Sequence, residues 1–194
     1  MEKLSSFFRC MNYYAGKMGT NLVNLDGSTL SDDDKTRLFI ADENEIFVSP
    51  MLVPKLILVK AAFERLGIGL IIKDGFRSLE LYQMIINARR KEGKQVEGLI
   101  STDCFPHATG LAVDVTLYNL ETGVDIWNRD EKKDGPGSRY MNFYKNATDK
   151  AGREFHRIQT VMFETFGQYG IVSGSKKEVW HVELEGIDEK TPRY

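Results

Sequence analysis

Pro106-His107-Ala108-Thr109-Gly110-Leu111-Ala112-Val113-Asp114-Val115-Thr116-Leu117 is the stretch on which the fold turns. From Leu111 onward it alternates. Leu111, Val113, Val115 and Leu117 share one face of an extended chain, and Ala112, Asp114 and Thr116 share the other. Such a pattern places one face of a strand on an apolar core. Pro106 restricts Phe105 to extended geometry, so His107 is expected at the end of a loop entering the strand, with Gly110 permitting a tight path between them. An aspartate in the middle of a β-branched strand is costly, because strands disfavour it and a buried charge needs a partner. A divalent cation is one such partner. The twist of the strand brings His107 and Asp114 toward one side, within reach of a shared ion.

A second segment far along the chain, Glu178-Val179-Trp180-His181, has matching chemistry. A strand over Val179–Leu184 puts His181 and Glu183 on one face, and Trp180, Val182 and Leu184 on the other. In a regular strand Glu178 would point away from His181. To approach the same ion it must lie in the loop before the strand, or be re-aimed by a bulge, and Gly174 with Ser175-Lys176-Lys177 favours the loop. The chain has three histidines, and two of them fall in these segments. Two imidazoles, a carboxylate and a spare glutamate are what a catalytic zinc needs: three protein ligands, an open position and a nearby base. Taken singly, each residue has a plainer reading: a histidine hydrogen-bonded in the core, an aspartate paired with arginine, a solvated glutamate. His156, on a charged helix between Phe155 and Arg157, is assigned no role.

Around these segments the pattern predicts an α+β fold, a mostly antiparallel sheet with flanking helices, over one domain spanning 1–194. Pro54 at a first helical position, apolar residues at Leu56, Val59, Ala62, Phe63 and Leu66, and Gly67 as a stop predict a helix. Ile68–Lys73 follows as a buried strand, and Asp74-Gly75 as a turn. Ser78 caps a second helix reaching about Lys91. Residues 93–106 read as a loop, 119–125 as a turn, and 132–138 as a flexible loop inserted into the sheet. A long amphipathic helix over Lys150–Phe166 and strands near Tyr169–Val172 and Val179–Leu184 complete the domain. Residues 1–50 are less legible. Their polar stretch Asp26–Lys35 is expected as a solvated loop, and residues 187–194 as peripheral.

Composition narrows the function. With 194 residues, 42% hydrophobic and 28% charged, the chain is of ordinary globular type. A net charge of −2 offers no case for nucleic acid or an anionic membrane, and no apolar run reaches membrane-spanning length. The N-terminus has no apolar stretch of secretory type. Cys10 and Cys104 read as free thiols in a reducing compartment, so a cytoplasmic location is expected. Oligomeric state is not legible.

The two segments together resemble the zinc D-alanyl-D-alanine peptidases, which share their fold with lysostaphin-type peptidases and the Sonic hedgehog signalling domain. The pattern Ser-x-His-x-x-Gly-x-Ala-x-Asp is matched by Phe105 to Asp114 at every fixed position but the first, and Glu-x-Trp-His by Glu178 to His181. Asp74-Gly75-Phe76-Arg77 and the run from Asp114 to Gly123 look like the D-Ala-D-Ala dipeptidases of the vancomycin-resistance type. The resemblance covers roughly residues 56–184. It implies one Zn2+ per chain held by His107, Asp114 and His181, Glu178 as general base, and Arg77 steadying the carbonyl oxygen as it becomes negative. The implied activity is hydrolysis of the D-Ala-D-Ala dipeptide or a related small cell-wall peptide by activated water. A D,D-carboxypeptidase or cell-wall endopeptidase is the alternative, and a zinc-containing binding module without chemistry is the rival of another class. Such a module has no need of Glu178. Two departures bear on substrate: Phe105 stands where the family has serine, and Arg139-Tyr140-Met141-Asn142-Phe143-Tyr144 lacks the acidic residue that would hold a dipeptide's ammonium.

Overall fold

The computed structural model describes residues 1–16, 21–94, 96, 105–130, 132–175 and 178–186. In chain order its elements are β1 (Glu2–Lys3), β2 (Arg9–Cys10), α1 (Asp32–Arg37), β3 (Phe47–Val48), α2 (Val53–Arg65), β4 (Ile68–Asp74), α3 (Leu79–Lys91), β5 (Ala112–Asn119), α4 (Lys150–Gly167), β6 (Ile171–Ser173) and β7 (His181–Leu184). Short 3-10 turns cover Leu4–Ser6 and Pro106–Thr109. The fold is α+β. Its main sheet runs β2-β4-β5-β7-β6, antiparallel except for the edge pair β2–β4, and β1 with β3 forms a separate small ribbon.

The alternation along β5 is realised as two different environments. Val113, Val115 and Leu117 are fully buried in the main core with Val59 and Phe63 of α2, Met162 and Phe166 of α4, and Val182 of β7. Phe63 and Phe166 meet edge-on at 5.6 Å, locking the two helices over the sheet. The opposite face carries Asp114 and Thr116. α3 does not join this core. Its Leu81, Met84 and Ile85 pack with Leu22, Leu30, Leu38 and Ile40 of the N-terminal region, which is thereby given its place.

Several expectations are adjusted by the fold. Within Asp26–Lys35 the loop gives way to α1, because Ser31 and Asp34 form a reciprocal capping box that satisfies the first free amides. The last strand starts at His181, Val179 and Trp180 being a turn, and its neighbour is shifted to Ile171–Ser173. Residues 132–138, expected as a flexible loop, are anchored at their C-terminal end. Gly135, Pro136 and Gly137 are buried, the Gly137 amide donates to the carbonyl of fully buried Trp127 at 2.6 Å, and Gln159 of α4 donates to the Pro136 carbonyl at 2.9 Å. Most of the expected loop 93–106, with Cys104, and the tail 187–194 lie outside the described residues. Cys10 is a buried free thiol. Among the described residues no helix is long and apolar enough to cross a membrane.

Candidate metal centre

Strand register assembles the site. In the antiparallel pairing of β5 with β7, Asp114 lies opposite His181 and Ala112 opposite Glu183. On the other side of β5, a bulge in β4 between Ile72 and Asp74 sets Asp74 opposite Asp114. His107 reaches the same end of the sheet from the 3-10 turn Pro106–Thr109, where a plain loop was expected. Pro106 suits the first position of that turn. Gly110 ends it in the left-handed region at φ 70°, and a Cβ there would stand 2.9 Å from the Ser49 amide, so both conformation and space require glycine. The Thr109 hydroxyl donates to the Pro106 carbonyl at 2.6 Å and accepts from the Leu111 amide at 3.0 Å, which fixes the turn against the strand.

Three atoms converge. His107 Nε2 and His181 Nδ1 are 3.1 Å apart, His181 Nδ1 and Asp114 Oδ1 are 3.2 Å apart, and His107 Nε2 and Asp114 Oδ1 are 3.5 Å apart. A tetrahedral zinc with bonds of ~2.0–2.1 Å separates its ligand atoms by about 3.3 Å. The triangle therefore has the size of one face of a zinc coordination tetrahedron. His107, Asp114 and His181 form a group able to hold a metal ion.

The far side of each imidazole decides which nitrogen is bare. His107 donates from Nδ1 to the Gly75 carbonyl at 2.7 Å, and His181 donates from Nε2 to Glu183 Oε2 at 3.1 Å. Each ring thus turns a lone pair toward the other and toward a carboxylate oxygen. Such lone pairs repel unless a cation sits among them. Burial opposes charge on His181, but hydrogen bonds to Asp114 and Glu183 outweigh it and carry its pKa up to about 10. Burial likewise pushes the Asp114 carboxyl upward, and contact with His107 and His181 overrides this and holds it well below the ordinary range. The pocket demands positive charge, and a proton on His181 meets the demand when no metal does.

Glu178 sits in the loop before the turn, as the spacing required, and stands outside the three-atom cluster. Its amide donates to Ser175 Oγ at 3.2 Å and its carbonyl accepts from the His181 amide at 2.9 Å, which ties the loop to the ligand beside it. Burial first, then repulsion from Asp114, raises its carboxyl above the ordinary range, while His181, His107 and Arg77 pull it back. A carboxyl so placed accepts a proton more readily than a solvated one.

Arg77 is a buried side chain, not an exposed surface cation. It is 7% exposed, paired with Asp74, and clamped with its guanidinium carbon 4.9 Å from the Tyr14 ring centroid and 4.6 Å from that of Tyr82. Its amide donates to the His107 carbonyl at 3.2 Å, and its Nε is buried with no hydrogen-bond partner among the described residues. Phe105 packs edge-on against Tyr82 at 5.2 Å, so it supports this clamp and offers no hydroxyl. The sequence assigns no site role to Tyr14, Tyr82, Asp74 or Glu183. For Glu183 a signal existed, since it lies two residues after His181 on the same strand face. Tyr14 lies in the poorly legible N-terminal region, and nothing local marks it.

No protein-family model matches the chain, and no curated protein matches its sequence. Among solved structures it is similar to the vancomycin-resistance D,D-pentapeptidase VanY from a VanB-type resistance cassette, a variant in complex with Zn(II). That likeness has 16% identity and a TM-score of 0.43, and covers 76% of each chain. At this distance the chemistry has to be carried by the side chains of the site.

Proposed function

We propose that the protein is a zinc-dependent peptidase hydrolysing D-Ala-D-Ala, as the free dipeptide or at the end of a related cell-wall peptide. One zinc per chain would be held by His107, Asp114 and His181. The observation that carries this reading is the zinc-sized triangle of His107 Nε2, Asp114 Oδ1 and His181 Nδ1, with Glu178 beside it but outside it.

When bound, the metal supplies a Lewis acid that makes water a usable nucleophile near neutral pH. The chain's own residues do the rest. Glu178 takes a proton from the attacking water and returns it to the leaving amine, a role suited by its raised pKa and by its exclusion from the ligand set. Arg77 carries a permanent charge on a rigid mount, held by Asp74 and two aromatic rings, and steadies the oxygen that becomes negative. A binding module would gain nothing from a half-buried carboxyl destabilised beside the ligand cluster, so Glu178 favours the enzyme.

A longer peptide is the second reading, and a specific observation favours it. The segment from Arg139 to Tyr144 contains no acidic side chain to take a dipeptide's free ammonium; Arg139 pairs with Asp134, and Tyr140 and Phe143 pack edge-on at 5.1 Å. Incubation of the zinc-analysed protein with free D-Ala-D-Ala and with a pentapeptide ending in it tests both readings. Cleavage of either supports the peptidase, cleavage of only the pentapeptide selects the second, and cleavage of neither by zinc-loaded protein rejects it.

A further inference from the structure

Glu183 is a buried carboxylate, 8% exposed, with His181 as its ion-pair partner. It lies on β7 two residues beyond His181, opposite Ala112, whose small side chain leaves room on that face. Its Oε2 accepts from His181 Nε2, the nitrogen on the far side of the ring from the three-atom cluster, so Glu183 does not join the ligand set. Across the sheet the chain makes space for this pair at Gly174. A Cβ there would fall 2.4 Å from Glu183 Oε2 and 2.7 Å from His181 Cδ2. Gly174 is not among the glycines at positive φ, so backbone conformation does not explain it, and the room it leaves does.

We infer that Glu183 is the positioning residue of the metal centre: it fixes the tautomer and ring angle of His181 so that Nδ1, not Nε2, is presented to the metal. The inference rests on the zinc reading of the site and adds a residue to it. The physical reason is general. A ligating imidazole whose other nitrogen donates to a carboxylate is held in one orientation and becomes a better donor, and loss of such a partner costs metal affinity 10–100-fold. His107 has a carbonyl in that place, from Gly75, so the two histidines are not equivalent. His181 is the one whose donor strength is set by a charged side chain.

The test is zinc affinity, measured by competition with a chromophoric chelator on wild type, Glu183→Gln and Glu183→Ala. Circular dichroism of each metal-free protein reports folding. Glu183→Ala should bind zinc about 10–100-fold more weakly than wild type. Glu183→Gln keeps an acceptor oxygen of the same reach without the charge, and should fall between the two. Nitrogen-edited NMR of the zinc-loaded proteins should show the His181 Nε2 proton protected in wild type and exchanging faster in Glu183→Ala. Wild-type protein that binds zinc, with both variants binding it equally tightly, overturns the role of Glu183 alone. Wild-type protein that binds no zinc overturns the metal reading, and this inference falls with it. If Glu183→Ala does not fold, the isosteric Glu183→Gln decides: unchanged affinity and an unchanged Nε2 proton overturn the inference.

Discussion

Asp74 and Asp114 face one another across β4 and β5, the first buried and the second with its side chain 16% exposed, yet they are neutralised in opposite ways. Asp74 has a permanent cation, Arg77, delivered by its own chain three residues later. Asp114 has two imidazoles that turn lone pairs toward it, and its charge is balanced only when a proton or a metal enters. Buried carboxylates need compensation. The first pair is self-contained and holds its own cation in place, while the second is left incomplete until something binds. A buried charge whose partner is exchangeable marks the place where something binds.

The comparison breaks most severely at the ligands. His181→Ala or His107→Ala should lose stoichiometric zinc and, with it, peptidase activity. Elemental analysis after dialysis checks this, and a full zinc complement would reject the assignment. Next in size, Glu178→Gln should retain zinc while activity falls roughly 10²–10⁴-fold, the usual span for a lost general base. Turnover at the wild-type level would remove Glu178 from the mechanism. On the self-contained side, Asp74→Asn strands a buried guanidinium and should cost about 3–5 kcal/mol of stability whether or not zinc is present. Chemical denaturation with and without metal separates this scaffold effect from the ligand variants.

The smallest signal is a proton. Metal-free His181, raised to about 10 by Asp114 and Glu183 against burial, is charged at neutral pH and must deprotonate to ligate. Zinc uptake at pH 7 should therefore release about one proton per site from this group, read as a dependence of the binding enthalpy on buffer ionisation. The sign for stability follows. A histidine whose folded pKa lies above its unfolded value stabilises the metal-free protein below about 6.5, and this contribution is lost as pH rises toward about 10. Zinc, standing in for the proton, should flatten that loss.

Much of this was visible in local pattern. The helix from Val53, the Ser78 cap and the helix over Lys150–Gly167 follow from caps, proline and periodicity, which act within a few residues. An offset of three residues is incompatible with sharing a strand face, which leaves Glu178 to a loop or a bulge, and it lies in the loop. What escaped was the Arg77 clamp and the role of the N-terminal region. Tyr14, Tyr82 and Asp74 meet around one guanidinium only because β4 turns into α3 beneath residues that come from the other end of the chain.

Sequence alone determined the chemistry available: two histidines, an aspartate and a spare glutamate in two segments, with Asp114 and His181 each on a predictable face of its strand. It determined this because side-chain direction along a strand has a period of two and needs no knowledge of neighbours. Only the tertiary structure decided which nitrogen of each imidazole is bare, that Asp114 stands opposite His181, and that Glu183 and Gly75 hold the far sides of the two rings. Those are properties of register and of packing between distant segments, and no local rule contains them.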